Sequence, residues 1–246
     1  MNYTIEYFSH IEDYYEKNTI QQNEIKYQIQ DGLIVYDVPR IFGNVLKKVL
    51  NDDTQEYDWC IRCVAEIIAN AELYSLSDSF ASVQAKKNVV RISLCDVGIG
   101  FSGSLHLKHM PITMSNNVVR MIQRYDNGKN GINRKAIEDL NCFLIALKEA
   151  EDSAINKDSN NLYRLIEIIT SINGIVRIHF NKIQVSFDKN LFNYYKNYNH
   201  DSFMERLLSN YSNNPSYLNI YKANINGVHI EIVIEFEESK GDTYVC

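Results

Sequence analysis

Asn88-Val89-Val90-Arg91-Ile92-Ser93-Leu94-Cys95-Asp96-Val97-Gly98-Ile99-Gly100-Phe101-Ser102-Gly103 is the stretch on which the fold of this chain turns. Val90, Ile92 and Leu94 alternate with Arg91, Ser93 and Cys95, the period of a strand with one apolar face. Asp96 follows in the apolar phase, so its carboxylate is expected to point where those side chains point. Gly98, Gly100 and Gly103 then predict a tight, small-residue turn. Glycines there let the backbone pass close to a flat base or a phosphate. An Asp at a strand end can accept a hydrogen bond from an adenine amino group. On its own, an Asp-Gly-rich turn after a strand is common.

Upstream, the segment at about 57–75 contains no Gly or Pro and predicts the strongest helix of the chain. Ile61, Val64, Ile68 and Ala71 share one face of it. Glu66 and Asn70 lie four apart on the opposite face. A carboxylate so placed can orient or deprotonate a water, and an amide oxygen can ligate Mg²⁺, a hard cation that prefers oxygen. By itself this pair also fits an ordinary solvated helix face.

The combination is more specific than either part. A helix bearing Glu-x-x-x-Asn, followed by a strand ending in Asp-x-Gly-x-Gly, resembles the N box and G1 box of the GHKL (Bergerat-fold) ATPases. Ala65-Glu66-Ile67-Ile68-Ala69-Asn70-Ala71-Glu72-Leu73-Tyr74-Ser75 is similar to that family's E-L-x-x-N-A-x-x-H-S. Asp96-Val97-Gly98-Ile99-Gly100-Phe101 with Ser104-Leu105 is similar to its D-x-G-x-G-I followed by Ser-Leu. The resemblance runs from about 38 to 236 and is thin at 106–158 and 189–222. It implies ATP and Mg²⁺ as cofactors. Glu66 would be the catalytic base or would activate a partner's hydroxyl. Asn70 would hold the Mg²⁺ that bridges the phosphates, and Asp96 would bind the adenine amino group. Gly98, Gly100 and Gly103 would shape the nucleotide pocket.

Three departures from the family pattern matter. Its second glycine box falls near Ser159-Asn160-Asn161-Leu162-Tyr163, which holds no glycine through which the backbone would grip the terminal phosphates. The Gly-Thr that often precedes the last strand is Gly227-Val228 here. Tyr74 stands in place of a frequent His.

The remaining segments predict an α+β fold, a two-layer α/β sandwich with a mixed β-sheet and helices on one face. Residues 1–30 read as an N-terminal extension, 31–238 as the ATP-binding domain, and 239–246 as a tail. Insertions fall at about 106–158 and 189–214. Residues 33–36 read as a strand, and a helix is expected from Pro39. Positions 136–150 predict a helix, and Leu162, Leu165, Ile166, Ile169 and Ile172 predict another, closed by Asn173-Gly174. A hairpin is expected with strands at 175–180 and 183–187 and its turn at Asn181-Lys182. Val228, Ile230, Ile232, Ile234 and Phe236 mark the last strand.

Composition narrows the classes of function. A net charge of -6 argues against a general nucleic-acid binder, which needs a cationic surface to replace counterions. No run of about 18 apolar residues predicts a membrane span. The first residues lack both the basic start and the apolar stretch of a signal peptide. Five irregularly spaced cysteines do not read as a disulfide framework, so a reducing cytoplasm is the expected setting. Trp59-Cys60-Ile61-Arg62-Cys63 imitates a redox motif but follows Asp52, Asp53, Glu56 and Asp58 rather than a strand, so its cysteines read as structural. His106 and His109 lack a third ligand for a metal. Gly128-Lys129 lacks P-loop spacing.

These features lead to a Mg-ATP-binding protein, an ATPase or phosphotransfer component acting with a separate protein partner, with homo-oligomerisation open. Two alternatives stand beside it. One is a pseudo-ATPase interaction module with weak or no turnover. The other is a protein Ser/Thr kinase resembling the anti-sigma-factor kinases.

Overall fold

The computed structural model describes residues 15–20, 51, 53–74, 79–86, 88–126, 132–157, 161–211 and 216–235. Within these, the side chains of 15–20, 64, 66–74, 79–81, 85–86 and 156–157 fall outside the description. Five strands, β1 (Tyr15–Ile20), β2 (Ser79–Lys86), β3 (Val89–Asp96), β4 (Ile175–Phe187) and β5 (Leu218–Glu235), form one sheet in the order β1-β2-β3-β5-β4. Every described pairing is antiparallel, which corrects the expectation of a mixed sheet. No helical crossover joins two parallel neighbours: β2 turns straight back into β3, and the helices after β3 return the chain to the far edge at β4. The α+β class stands.

Seven described helices complete the fold: α1 (Gln55–Tyr74), α2 (Gly100–Leu107), α3 (Asn116–Tyr125), α4 (Arg134–Lys157), α5 (Leu162–Ser171), α6 (Lys189–Asn197) and α7 (His200–Asn210). No described helix is long and apolar enough to cross a membrane. The core lies between helices and sheet. Ile92 and Val176 pair across Ile232, and Leu94 and Ile178 pair across Ile230, which makes a continuous apolar floor. Phe143, Leu144 and Leu147 of α4 and Leu165, Ile166 and Ile169 of α5 are buried in the same cluster. Intervening strand positions carry Arg91, Arg177 and Glu231. Arg177 and Glu231 form an ion pair at 2.7 Å across β4 and β5.

Most of the long periodic elements fall where the sequence predicts them, with α4 extending well past 150. Asn173 closes α5 with a left-handed φ of 61°, and the Gly174 N–H donates to the Ile169 carbonyl at 2.9 Å. The strand expected at 33–36 and the helix expected from Pro39 lie outside the described residues, as do Gly128 and Lys129. Residues 15–20, assigned to the N-terminal extension, form the edge strand of the sheet.

Two elements differ from expectation. The sequence does not announce β2, because Ser82, Gln84 and its alanines give little apolar contrast. Pairing with β3 creates it, with Val83 opposite Ile92 and Ser82 opposite Ser93. The expected 175–187 hairpin is instead the single strand β4. Asn181 takes a φ of 50° and the register against β5 shifts on both sides of it, so the residue is a bulge and not a turn. The reason is visible in the phase. Val176, Ile178 and Phe180 are buried at even positions, and Ile183, Val185 and Phe187 at odd ones. One extra residue keeps both apolar sets buried.

The two segments expected as insertions pack on each other. Ser115 caps α3 by accepting from the Val118 N–H and also donates to Asp201 of α7, while Asn117 reaches the same carboxylate at 2.8 Å. One turn on, Glu205 accepts from Arg124 and from the Tyr125 hydroxyl. Beneath, Tyr195 meets Phe187 and Phe203 edge-on, so the Asn- and Tyr-rich stretch is built into the core.

Candidate functional site

β3 carries Asp96 to the point where the sheet meets α2, and the carboxylate is 6% exposed. The Gly98 N–H donates to its Oδ1 at 2.8 Å, and the backbone N–H of Val228 donates to it from β5. Burial nevertheless pushes the Asp96 carboxyl up to about 6, the two backbone donors offsetting only part of the desolvation. The result is a buried acceptor fixed in direction by two main-chain groups.

Gly227 makes this arrangement possible. Its φ is 78°, and a Cβ built there would lie 2.2 Å from the Asp96 carbonyl oxygen and 2.5 Å from Oδ1. No side chain fits. Gly227-Val228 lacks a Thr hydroxyl, and the glycine and the Val228 N–H are the parts of this dipeptide that touch Asp96.

The glycines after Asp96 do different things. The expected turn covers only Val97–Ile99, and Gly100 already begins α2, which corrects the picture of an extended small-residue loop to 103. Gly100, at φ 63°, turns the chain into the helix. Phe101 then anchors that helix, its ring meeting Phe143 and Phe180 edge-on with centroids 5.1 Å away in each case. A Cβ on Gly103 would stand 2.6 Å from Ile99 Cβ, so this glycine permits close packing within the turn.

A pocket opens beside Asp96, with a cavity of about 50 Å³. Leu94, Phe101, Leu162, Val228 and Ile230 give it apolar walls; Asp96, Ser104, Lys108 and Glu149 supply its polar groups. Lys108 Nζ bonds both Glu149 oxygens, at 2.9 and 2.8 Å, and their side chains are 30% and 29% exposed. Known apolar cavities of about 150 Å³ admit benzene, so a purine requires this pocket to widen. Of the sequence-nominated residues, Asp96 and Gly100 line it, Gly98 braces Asp96, and Gly103 packs nearby. The sequence does not single out Ser104, Lys108, Glu149 or Val228 as site residues. Ser104 and Lys108 could have been found from their four-residue spacing with Gly100, but Glu149 comes from α4 and gave no local signal.

Glu66 and Asn70 lie four residues apart on α1, a helix that packs against β3, α2 and α5. Their side chains fall outside the described residues. At the start of α5, where the glycine box was expected, Asn161 is 3% exposed and caps the helix by accepting from the Arg164 N–H. Its Nδ2 donates to the Ala150 carbonyl at 2.9 Å, tying α5 to α4. Cys60 and Cys63 are fully buried on α1, and burial, then Glu56, pushes the Cys60 thiol up to about 12, which leaves it inert at neutral pH. His106 and His109 are exposed, and no cluster of three or more metal-ligating side chains exists among the described residues.

No family model matches this chain, and no curated protein or solved structure is significantly similar to it.

Proposed function

We propose that this chain binds Mg-ATP in the manner of the GHKL ATPases and acts, by hydrolysis or phosphotransfer, with a separate protein partner. The observation that carries the proposal is Asp96. It is a buried carboxylate at the end of an inner strand, aimed by two backbone N–H groups and flanked by the apolar walls of the pocket. Such a group suits a flat heterocycle that offers an N–H donor at one edge. The pocket elements β3, α2 and α5 are also those against which α1 packs, and α1 carries Glu66 and Asn70. On this proposal Glu66 is the general base and Asn70 the Mg²⁺ ligand. ATP would supply the phosphoryl group and Mg²⁺ the charge neutralisation it needs.

The test is the melting temperature with ATP, ADP and GTP, each with and without Mg²⁺, on wild type and Asp96→Asn. A ligand at 100 times its dissociation constant stabilises by about 2.7 kcal/mol. At about 2–4 °C per kcal/mol that is roughly 5–11 °C. An adenine-selective rise that disappears in Asp96→Asn supports the proposal. Equal shifts with ATP and GTP, or none at millimolar nucleotide, refute it.

One observation favours the pseudo-ATPase alternative. The α5 start has no glycine, and the Asn161 side chain already occupies a backbone donor that would otherwise face phosphate. Turnover separates the two. Glu66→Ala should lower ATP consumption by about 10²–10⁴-fold in an enzyme and leave it unchanged in a module that only binds.

A further inference from the structure

We propose that Lys108 receives the phosphate end of the nucleotide and that Glu149 occupies Lys108 until the nucleotide arrives; this rests on the nucleotide-binding function proposed above. Three facts point to it. Gly100, Ser104 and Lys108 are spaced by four on α2 and its C-cap and all line the pocket, so they form one stripe along its wall. The helical rise places Lys108 about 12 Å along the axis from Gly100. The stripe therefore begins at the Asp96 end, where a base would sit, and finishes at a cation about one nucleotide length away.

The second fact is the start of α5. Its Arg164 N–H is committed to Asn161 Oδ1, and the sequence offers no glycine through which backbone could wrap a phosphate. The anionic end of the ligand must find its counter-charge elsewhere, and Lys108 lines the same pocket as Leu162, the first residue of α5. The third fact is the Lys108–Glu149 pair itself. Both side chains are nearly a third exposed, and an ion pair in that setting is held weakly enough to exchange. A phosphate offers Lys108 more charge and more acceptor oxygens than one carboxylate does. Once phosphate is bound, Glu149 becomes a like-charge neighbour that opposes it.

The experiment is calorimetric titration of the full chain with adenosine, AMP and Mg-ATP. Wild type, Lys108→Met, Lys108→Arg and Glu149→Gln are compared, with the melting temperature of each ligand-free variant as the folding control. Lys108→Met should weaken AMP and Mg-ATP by on the order of 10- to 100-fold, the range for hydrogen bonds to charged groups. Adenosine should keep its affinity. Lys108→Arg should recover most of the loss, and Glu149→Gln should tighten Mg-ATP while leaving adenosine alone. If Lys108→Met changes adenosine and ATP alike, or changes neither, Lys108 is not a phosphate ligand, although wild-type adenosine binding would keep the nucleotide function intact. A wild type that binds none of the three overturns both.

Discussion

At the residue scale, Asp96 combines a structural cost with the binding role proposed for it. Its folded carboxyl titrates near 6, above the ordinary value of 3.8. Between those two pH values the folded protein holds a proton that the unfolded chain has released, so this group makes stability fall as pH rises. The penalty is complete above about pH 6 and amounts to roughly 3 kcal/mol. His179, held down to about 4 by burial and then by neighbouring His229, acts in the opposite sense between about 4 and 6.5. Asp96→Asn leaves the His179 contribution in place and removes only the carboxyl one. The stability difference between variant and wild type should therefore move in the variant's favour from pH 4 to pH 8. Parallel curves from denaturant titrations would show that Asp96 is not buried as described. Gly227→Ala should cost at least about 2 kcal/mol, because a left-handed φ and a Cβ against Asp96 are both penalised, and it should remove any nucleotide-induced shift in melting temperature.

At the element scale, one side chain organises the start of α5. Asn161 caps the helix through its oxygen and anchors it through its nitrogen to the Ala150 carbonyl. Asn161→Ala should lose about 2–3 kcal/mol, the cap and the donor to a partly buried carbonyl together. Asn161→Asp keeps the cap and should lose a smaller part. Urea unfolding of the two variants checks this, and equal losses would mean that the cap contributes nothing. The β4 bulge teaches a related lesson. Asn181-Lys182 looks like a turn locally, yet the switch of apolar phase from Phe180 to Ile183 was already in the sequence. A turn needs the two halves to pair with each other. Here both pair with β5, and only the tertiary sheet reveals that.

At the scale of the whole molecule, stability rests on one face of the sheet. Arg91 and Ile92 are adjacent on β3 and point to opposite sides, the first exposed and the second 2% exposed. Ile92→Ala should cost about 2–5 kcal/mol, whereas Arg91→Ala should stay within about 0.5 kcal/mol. Comparable losses in the two would contradict the two-layer arrangement. The helices α3, α4, α6 and α7 lie within the segments read from sequence as insertions, yet they build the core through Phe143, Tyr195 and Phe203 and are tied together by the Asp201 and Glu205 contacts. Truncating either insertion should therefore unfold more than the segment removed.

The sequence alone determined the features with short-range causes. The alternation of Val90, Ile92 and Leu94 specified β3 and the direction of Asp96, helical spacing specified α1, α4 and α5, and Asn173-Gly174 specified where α5 stops. It also singled out Asp96 and Gly100, because an acid at a strand end followed by glycines is a local pattern. Only the tertiary structure decided that all strand pairings are antiparallel, that Ser79–Lys86 is a strand, and that Asn181 is a bulge. It also brought Gly227 and Val228 to Asp96, and Lys108 and Glu149 to the far end of the same pocket. These depend on partners far away in the chain. Pairing of β3 with β5 sets Gly227 on Asp96, and packing of α2 on α4 sets Lys108 on Glu149. Periodicity carries no information about such long-range contacts until the sheet and its helices close on one core.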